Sequence, residues 1–270
     1  MFFPSELGSE FVRLAKPYWE SKEDDSARMR MVWNILTGLQ GVVLGHMLVQ
    51  RIGNKVFAGP FRGMTIIQDV MDRHFAPYLL GTYEWELHGA IEEVISKKYK
   101  YIVNVGSSFG YYAVGLALRM PDTTIYAYDI DPIAREQCQK MAKANNVEDR
   151  VIIREEFTKD ECAQFSGSDS FLFMDVESCE DELLNPESFP EERHMDVIVE
   201  MHDCIKRGLS TAIPLRFAAT HHVRVIPNMP FSFPLEKVLG PGYVPDHFDN
   251  LIATWEGRGG PTPFGVFIRK

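Results

Sequence analysis

Residues Tyr101 to Asp131, YIVNVGSSFGYYAVGLALRMPDTTIYAYDID, restrict the fold of this chain more than any other stretch. A short apolar run (Ile102, Val103, Val105) enters a turn holding Gly106 and Gly110; Tyr111 to Met120 then reads as a helix that Pro121-Asp122 stops. Thr124 to Tyr128 is a second predicted strand, and it ends on Asp129. Strand, glycine turn, helix and strand form one half of a doubly wound sheet of the nucleoside-binding kind. The alternation continues. Asp131-Pro132 caps a helix to Asn145, and Val151 to Arg154 and Phe171 to Met174 are strands three and four. A fifth strand starts at Val197, another spans His222 to Ile226, and Phe264 to Arg269 closes the chain. The expected class is α/β, with a mostly parallel seven-stranded sheet.

The chemistry of the turn follows from its residue types. Glycine permits close backbone approach, a helix N-terminus offers N–H groups to a negative group, and an acid at a strand tip accepts hydrogen bonds from both ribose hydroxyls. A dinucleotide fingerprint needs glycine at the first, third and sixth positions of the turn. From Gly106 these hold Gly106, Ser108 and Tyr111, so two of three fail. The remaining pattern resembles motif I of the class I S-adenosylmethionine (SAM) methyltransferases. FLFMDVESCE, with Asp175, Glu177 and Glu180, is similar to the fourth-strand Asp-x-Glu-Gly-x-Glu motif of the FkbM-like group, and VIVEMHD resembles its fifth strand, which closes on Glu-x-His. The resemblance covers roughly residues 85 to 226. It departs twice: Asn104 stands where many members carry an acid, and Ser178 replaces a glycine suited to a positive φ.

The resemblance implies a Rossmann-like methyltransferase fold, SAM as cofactor, and methylation of a hydroxyl on a small-molecule or carbohydrate acceptor. It implies that Asn104, Gly106, Ser107, Ser108, Gly110 and Asp129 hold the cofactor, and that Glu156 meets the adenine amino group with Phe157 flanking the ring. Asp175 would bind the methionine amino group or the acceptor. His202 would be the base, oriented by Asp203 or Glu200, because an imidazole titrates near neutral pH and a positioned base contributes about 10²–10⁴-fold. Plainer readings stand beside these. Glu155 and Glu156 are also what an exposed strand exit carries, a lone histidine is commonly structural, and Glu177 and Glu180 can simply hold a loop. Asp175, Glu177, His202 and Asp203 are capable metal donors, but nothing in their spacing requires an ion and no metal site is assigned. Rival functions are methylation of an amine or protein side chain, SAM binding without turnover, and, with less support, a nicotinamide-dependent oxidoreductase.

Residues 1–85 read as a mostly helical cap and 86–270 as the SAM-binding domain. Asp24-Asp25-Ser26 can start a helix running towards Arg51, with Gly53-Asn54 at its end. Met31 to Val49 is largely apolar, yet it contains Asn34, Thr37, Gln40 and His46, and positions 32, 35, 36, 39, 43 and 47 mark one face. A packed helix is expected there, not a membrane span. Tyr83 to Ser96 reads as the helix before strand one, with Leu87, Ile91, Val94 and Ile95 inward, and 227–246, rich in proline, as an irregular lid or surface excursion. The formal charge of −10, without a Lys/Arg cluster, argues against nucleic acid as the main partner. Cys138, Cys162, Cys179 and Cys204 form no close pairs, which suits small buried residues in a reduced, cytoplasmic setting. MFFPSELGSE lacks a signal-peptide pattern, and homo-oligomerisation is compatible with all of this.

Overall fold

The computed structural model describes residues 4–22, 24–70, 75–166, 169–240, 242, 245 and 247–270. Its helices are α1 (Pro4–Trp19), α2 (Asp25–Ile52), α3 (Phe75–Leu80), α4 (His88–Ser96), α5 (Tyr111–Arg119), α6 (Pro132–Ala144), α7 (Lys159–Ala163), α8 (Glu180–Leu183), α9 (Leu209–Phe217), α10 (Glu236–Leu239) and α11 (His247–Ile252). The strands are β1 (Tyr101–Val105), β2 (Thr124–Tyr128), β3 (Val151–Arg154), β4 (Ser170–Met174), β5 (Met195–Glu200), β6 (His221–Ile226) and β7 (Phe264–Arg269).

The chain divides into two compact units, and their limits differ from the expected boundary at 85. One comprises Met1–Asn54, Met71–Tyr83 and Phe231–Gly257; the other comprises Lys55–Val70, Glu84–Pro230 and Arg258–Lys270. Most of the proline-rich segment thus belongs with the N-terminal helices, and its positions 241, 243, 244 and 246 lie outside the described residues.

The helical unit is organised by α2, whose N-cap Asp24 accepts a 2.9 Å bond from the Ala27 amide. Its buried stripe is Thr37, Gly41, Leu44, Gly45 and Leu48, not the face expected from the large apolar residues. Small residues decide this: a Cβ at Gly45 would meet Phe75 at 3.5 Å, so the glycine face allows close packing of α3. Trp33 and Leu36 remain half exposed, although Trp33 packs edge-on against Phe248. By length and composition α2 also meets the criterion for crossing a membrane, with a mean hydropathy of 1.4 in its most apolar window.

The second unit is the doubly wound sheet, in the order β3-β2-β1-β4-β5-β7-β6. The strands from β3 to β5 are parallel, and β7 runs antiparallel between β5 and β6. Parallel strands that are largely apolar need cover on both faces. One face carries Val103, Val105, Leu172, Met174, Val197 and Val199 in the core. The other carries Ile102, Asn104, Phe173, Ile198 and Glu200, with the Tyr112 ring of α5 stacked 4.2 Å from Phe173. Residues 55–70 belong here too: the Asn145 side chain pairs with both the amide and the carbonyl of Thr65 at 2.8 Å, and Phe61 lies edge-on to Tyr111 and Tyr112.

Candidate functional site

The strand order reverses between β1 and β4, since the chain passes from β1 outward to β2 and β3, then returns to β4 on the opposite side. A crevice at the carboxyl ends of the strands is the consequence, and open α/β sheets bind ligands there. Gly106 turns out of β1 with φ +76°, and a Cβ on it would sit 1.6 Å from the carbonyl oxygen of Asp175. Gly110 caps α5 with φ +92°, and a Cβ there would press on Cys138 Sγ at 2.7 Å. Both glycines are therefore required by neighbouring protein atoms.

The turn's amides serve the turn itself. Gly106 N and Ser107 N both donate to the Tyr128 carbonyl at 2.9 Å, Gly110 N donates to the Ser107 carbonyl, and Ser108 N donates to Asp129 Oδ2 at 2.7 Å. This differs from the expected row of free donors, because a tight turn between parallel strands must first satisfy its own backbone. Asp129 is half-buried at the tip of β2 and also accepts from the Asp131 amide at 2.9 Å. A carboxylate has roughly four acceptor positions, so two protein donors leave capacity for hydroxyls.

Beside this turn lie buried polar atoms without partners. Asn104 is 1% exposed, and among the described residues neither its Oδ1 nor its Nδ2 has a hydrogen-bond partner, nor do the buried Ser107 Oγ and Asp175 Oδ1. Leaving such an atom unsatisfied costs about 1–3 kcal/mol, and more than nine in ten buried polar groups avoid it.

An acidic and imidazole cluster occupies the ends of β4 and β5. His202 is buried, and its Nδ1 pairs closely with Glu180 Oε1, which also accepts from the Ser178 amide at 3.2 Å. With Nδ1 engaged, Nε2 faces Glu177 Oε2 at 3.4 Å, Asp175 Oδ1 at 3.6 Å and Glu200 Oε2 at 3.9 Å. The orienting group is Glu180, in place of the expected Asp203 or Glu200: Asp203 is taken by the amide and hydroxyl of Ser210. Burial disfavours a charged imidazole, but the Glu180 hydrogen bond and the fields of Glu200, Glu180 and Glu177 outweigh it and raise the His202 pKa. Asp175 is also raised well above the ordinary carboxylate range, first by burial and then by Glu200, Glu84 and Glu177.

Two members of this neighbourhood escape the sequence pattern. Glu84, almost fully buried with φ +48°, accepts a short hydrogen bond from the Tyr112 hydroxyl. Arg258 lies 3.5 Å from Glu84 and pairs closely with Glu200 and Thr262. Glu84 lies at the start of the stretch that reads as the helix before strand one, where a solvated face is the plainer expectation, and Arg258 lies in a glycine-rich loop. Of the remaining candidates, Glu156 is exposed at the exit of β3, and Phe157 is 4% exposed and packed against Tyr128 and Phe189. Cys138 and Cys162 are buried as expected, whereas Cys179 and Cys204 are exposed because each stands in a turn beyond a strand end. His221 is buried and bonded to the Met195 carbonyl at 2.7 Å, and His222 is exposed on the other side of β6.

No family model matches the chain, and neither does any curated protein. Among solved structures it is similar to the O-methyltransferase TomG of Streptomyces achromogenes, involved in tomaymycin synthesis and solved with SAM. That alignment covers 100% of both chains at 11% identity with a TM-score of 0.46. An O-methyltransferase from Bacillus cereus, in complex with S-adenosylhomocysteine (SAH), aligns over 98% of this chain and 100% of its own at 12% identity and TM-score 0.44. The precorrin-6y C5,15-methyltransferase of Geobacter metallireducens GS-15 aligns over 68% of this chain and 89% of its own at 12% identity and TM-score 0.46.

Proposed function

We propose that this chain is a SAM-dependent methyltransferase of the FkbM-like kind that methylates a hydroxyl on a small molecule or sugar. The observation that carries the reading is the set of unpaired, buried polar atoms of Asn104 and Ser107 at the end of β1, beside the Gly106 turn and Asp129. Buried polar atoms are paired in roughly nine cases of ten, so this cluster at the strand end marks where a polar ligand fits. In this reading Asp129 accepts the ribose hydroxyls, and Asn104 and Ser107 hold the amino-acid end of the cofactor. Ser108 and Gly110 shape the turn, and Glu156 approaches the adenine edge. Phe157 supports that edge from the core.

The cofactor supplies an electrophilic methyl group, so the chain's work is to bind, align and handle a proton. A neutral hydroxyl is a poor nucleophile until that proton is lost. Asp175 and His202 belong to the part of the site best suited to take up positive charge, since Glu180 fixes the ring and carboxylates surround Nε2.

Calorimetry with SAM, SAH and NAD tests the cofactor. Saturable uptake of the two sulfur compounds, weakened at least tenfold by Asn104→Ala, is expected; heat from NAD alone, or from none of them, overturns the reading. Turnover on alcohol and amine panels then tests the acceptor.

A further inference from the structure

We propose that Asp175, Glu200 and His202 form a binding site for a divalent metal ion, with Glu180 holding the imidazole from behind. Each of the three offers one donor atom, and these atoms lie within 4.8 Å of one another. They come from the ends of two adjacent strands, β4 and β5, whose register is fixed by the ladder from Ser170↔Met195 to Met174↔Val199. The donors therefore stand at or just beyond the ends of strands of fixed register.

The spacing around His202 Nε2 favours an ion over direct pairing. Its distances to Glu177, Asp175 and Glu200 oxygens, 3.4, 3.6 and 3.9 Å, are too long for good hydrogen bonds. Metal–donor bonds of about 2.0–2.2 Å place neighbouring donors roughly 3.0–3.4 Å apart, so the Asp175 and Glu200 oxygens, at 3.6 and 3.9 Å from Nε2, would draw in by about 0.2–0.9 Å on binding. A second observation points the same way. Asp175 Oδ1 is buried, has no hydrogen-bond partner among the described residues, and lies 3.6 Å from His202 Nε2. Glu200, 6% exposed, has one oxygen held by Arg258 and the other turned towards the same point.

The imidazole also has the outer partner that metal-binding histidines use. Nδ1 pairs with the fully buried Glu180, which fixes the ring and leaves Nε2 as the donor. One imidazole with two carboxylates suits an ion such as Mn²⁺, in contrast to Ca²⁺, which requires six to eight oxygens. Glu177, on the exposed rim, is free to approach as a further donor or to leave room for an acceptor oxygen.

The test needs no cofactor, so its failure is separable from failure of the methyltransferase reading. Chelator-treated full-length protein is titrated with Mn²⁺ alone and followed by calorimetry and EPR, with circular dichroism confirming that each variant is folded. Wild type should take up one ion, with nitrogen modulation in the pulsed EPR signal. Asp175→Asn and His202→Gln should each weaken uptake at least tenfold, and His202→Gln should abolish the nitrogen modulation. Glu180→Gln should weaken uptake roughly ten- to a hundredfold through the loosened ring. Folded wild-type protein that takes up no Mn²⁺ at millimolar concentration, or affinity unchanged in the Asp175→Asn/His202→Gln double variant, overturns the proposal.

Discussion

The α-carbon of Gly106 stands so close to the carbonyl of Asp175 that a methyl group at position 106 would lie 1.6 Å from that oxygen. The obstructing atom is backbone, on the segment leaving β4, and no rotamer change relieves it. Position 106 also has φ +76°, where side chains other than hydrogen are strained. Gly106→Ala is expected to cost about 2–4 kcal/mol and to push Asp175 out of the cluster. Urea unfolding followed by SAM titration checks both parts. An unchanged midpoint with normal affinity would mean that the turn is far more pliable than the packing indicates.

Ser178 presents the opposite case. The FkbM-like motif that this stretch resembles has glycine there, and the serine adopts φ +89°, directly after Glu177 at φ +50°. The backbone demand is thus retained while the residue that meets it cheaply is absent. Ser178→Gly should stabilise the chain by about 0.5–1 kcal/mol, a gain reduced by the extra freedom glycine has when unfolded. Thermal unfolding reads the difference. A fall in stability would show that the serine side chain contributes something its strain conceals.

The two positions show what could be read from the chain and what could not. Gly106, Asp129 and Pro132 mark a strand exit, a strand tip and a helix start through local chemistry, so the alternation of strands and helices and most element limits were legible. The face of α2 was not, because Gly41, Gly45 and Thr37 pack by being small, whereas a hydropathy pattern rewards large residues. Glu180 was legible as part of a motif but not as the partner of His202, since that pairing depends on where two loops meet. Arg258 and Glu84 are separated by 174 positions, from 84 to 258, and their 3.5 Å approach has no local signature. The division into units escaped for the same reason: 231–257 joins the N-terminal helices through packing, not through sequence continuity.

Asp129 and His202 should fail differently when altered. Asp129 stands at the cofactor's ribose in the proposed function and also receives the Ser108 amide at 2.7 Å. Asp129→Ala removes charge-assisted bonds worth roughly 1.5–3 kcal/mol each, so SAM affinity should fall by about tenfold to over a hundredfold. His202→Ala should leave that affinity within a few fold and lower turnover. Calorimetry beside single-turnover assays separates them, and an equal loss of affinity in both would contradict the assigned roles.

Acid sensitivity should arise far from the site, at Asp196 on β5. This carboxylate is 2% exposed on its side chain and receives Lys97 Nζ and the Tyr99 hydroxyl at 2.6 Å, with the Arg269 amide and Nε at 2.9 and 3.0 Å. Burial would raise its pKa, but these donors prevail and bring it from 3.8 to about 2. A depressed folded pKa gives stability that is present above the unfolded value and lost as pH falls towards the folded one. The difference corresponds to about 2 kcal/mol, lost between about pH 5 and pH 2. Asp196→Asn should be less stable at pH 7 and should lack that part of the acid slope. Parallel pH–stability curves for the two proteins would remove the assignment.

Glu192 should act with the opposite sign. It lies in the single turn Pro190–His194 and is fully buried. Burial pushes its pKa well above the ordinary 4.5; the nearby Arg216 works against this and Glu191 adds to it. The folded chain therefore keeps a proton that the unfolded chain has already released. Stability must then decline as pH rises above about 4.5, until the folded group itself ionises, and remain at the lower level beyond. Glu192→Gln preserves the shape and removes the titration. Near pH 4 the two proteins should unfold at similar denaturant concentrations, whereas by pH 8 the glutamine variant should be the more stable one. A constant difference across that range would place the Glu192 proton elsewhere.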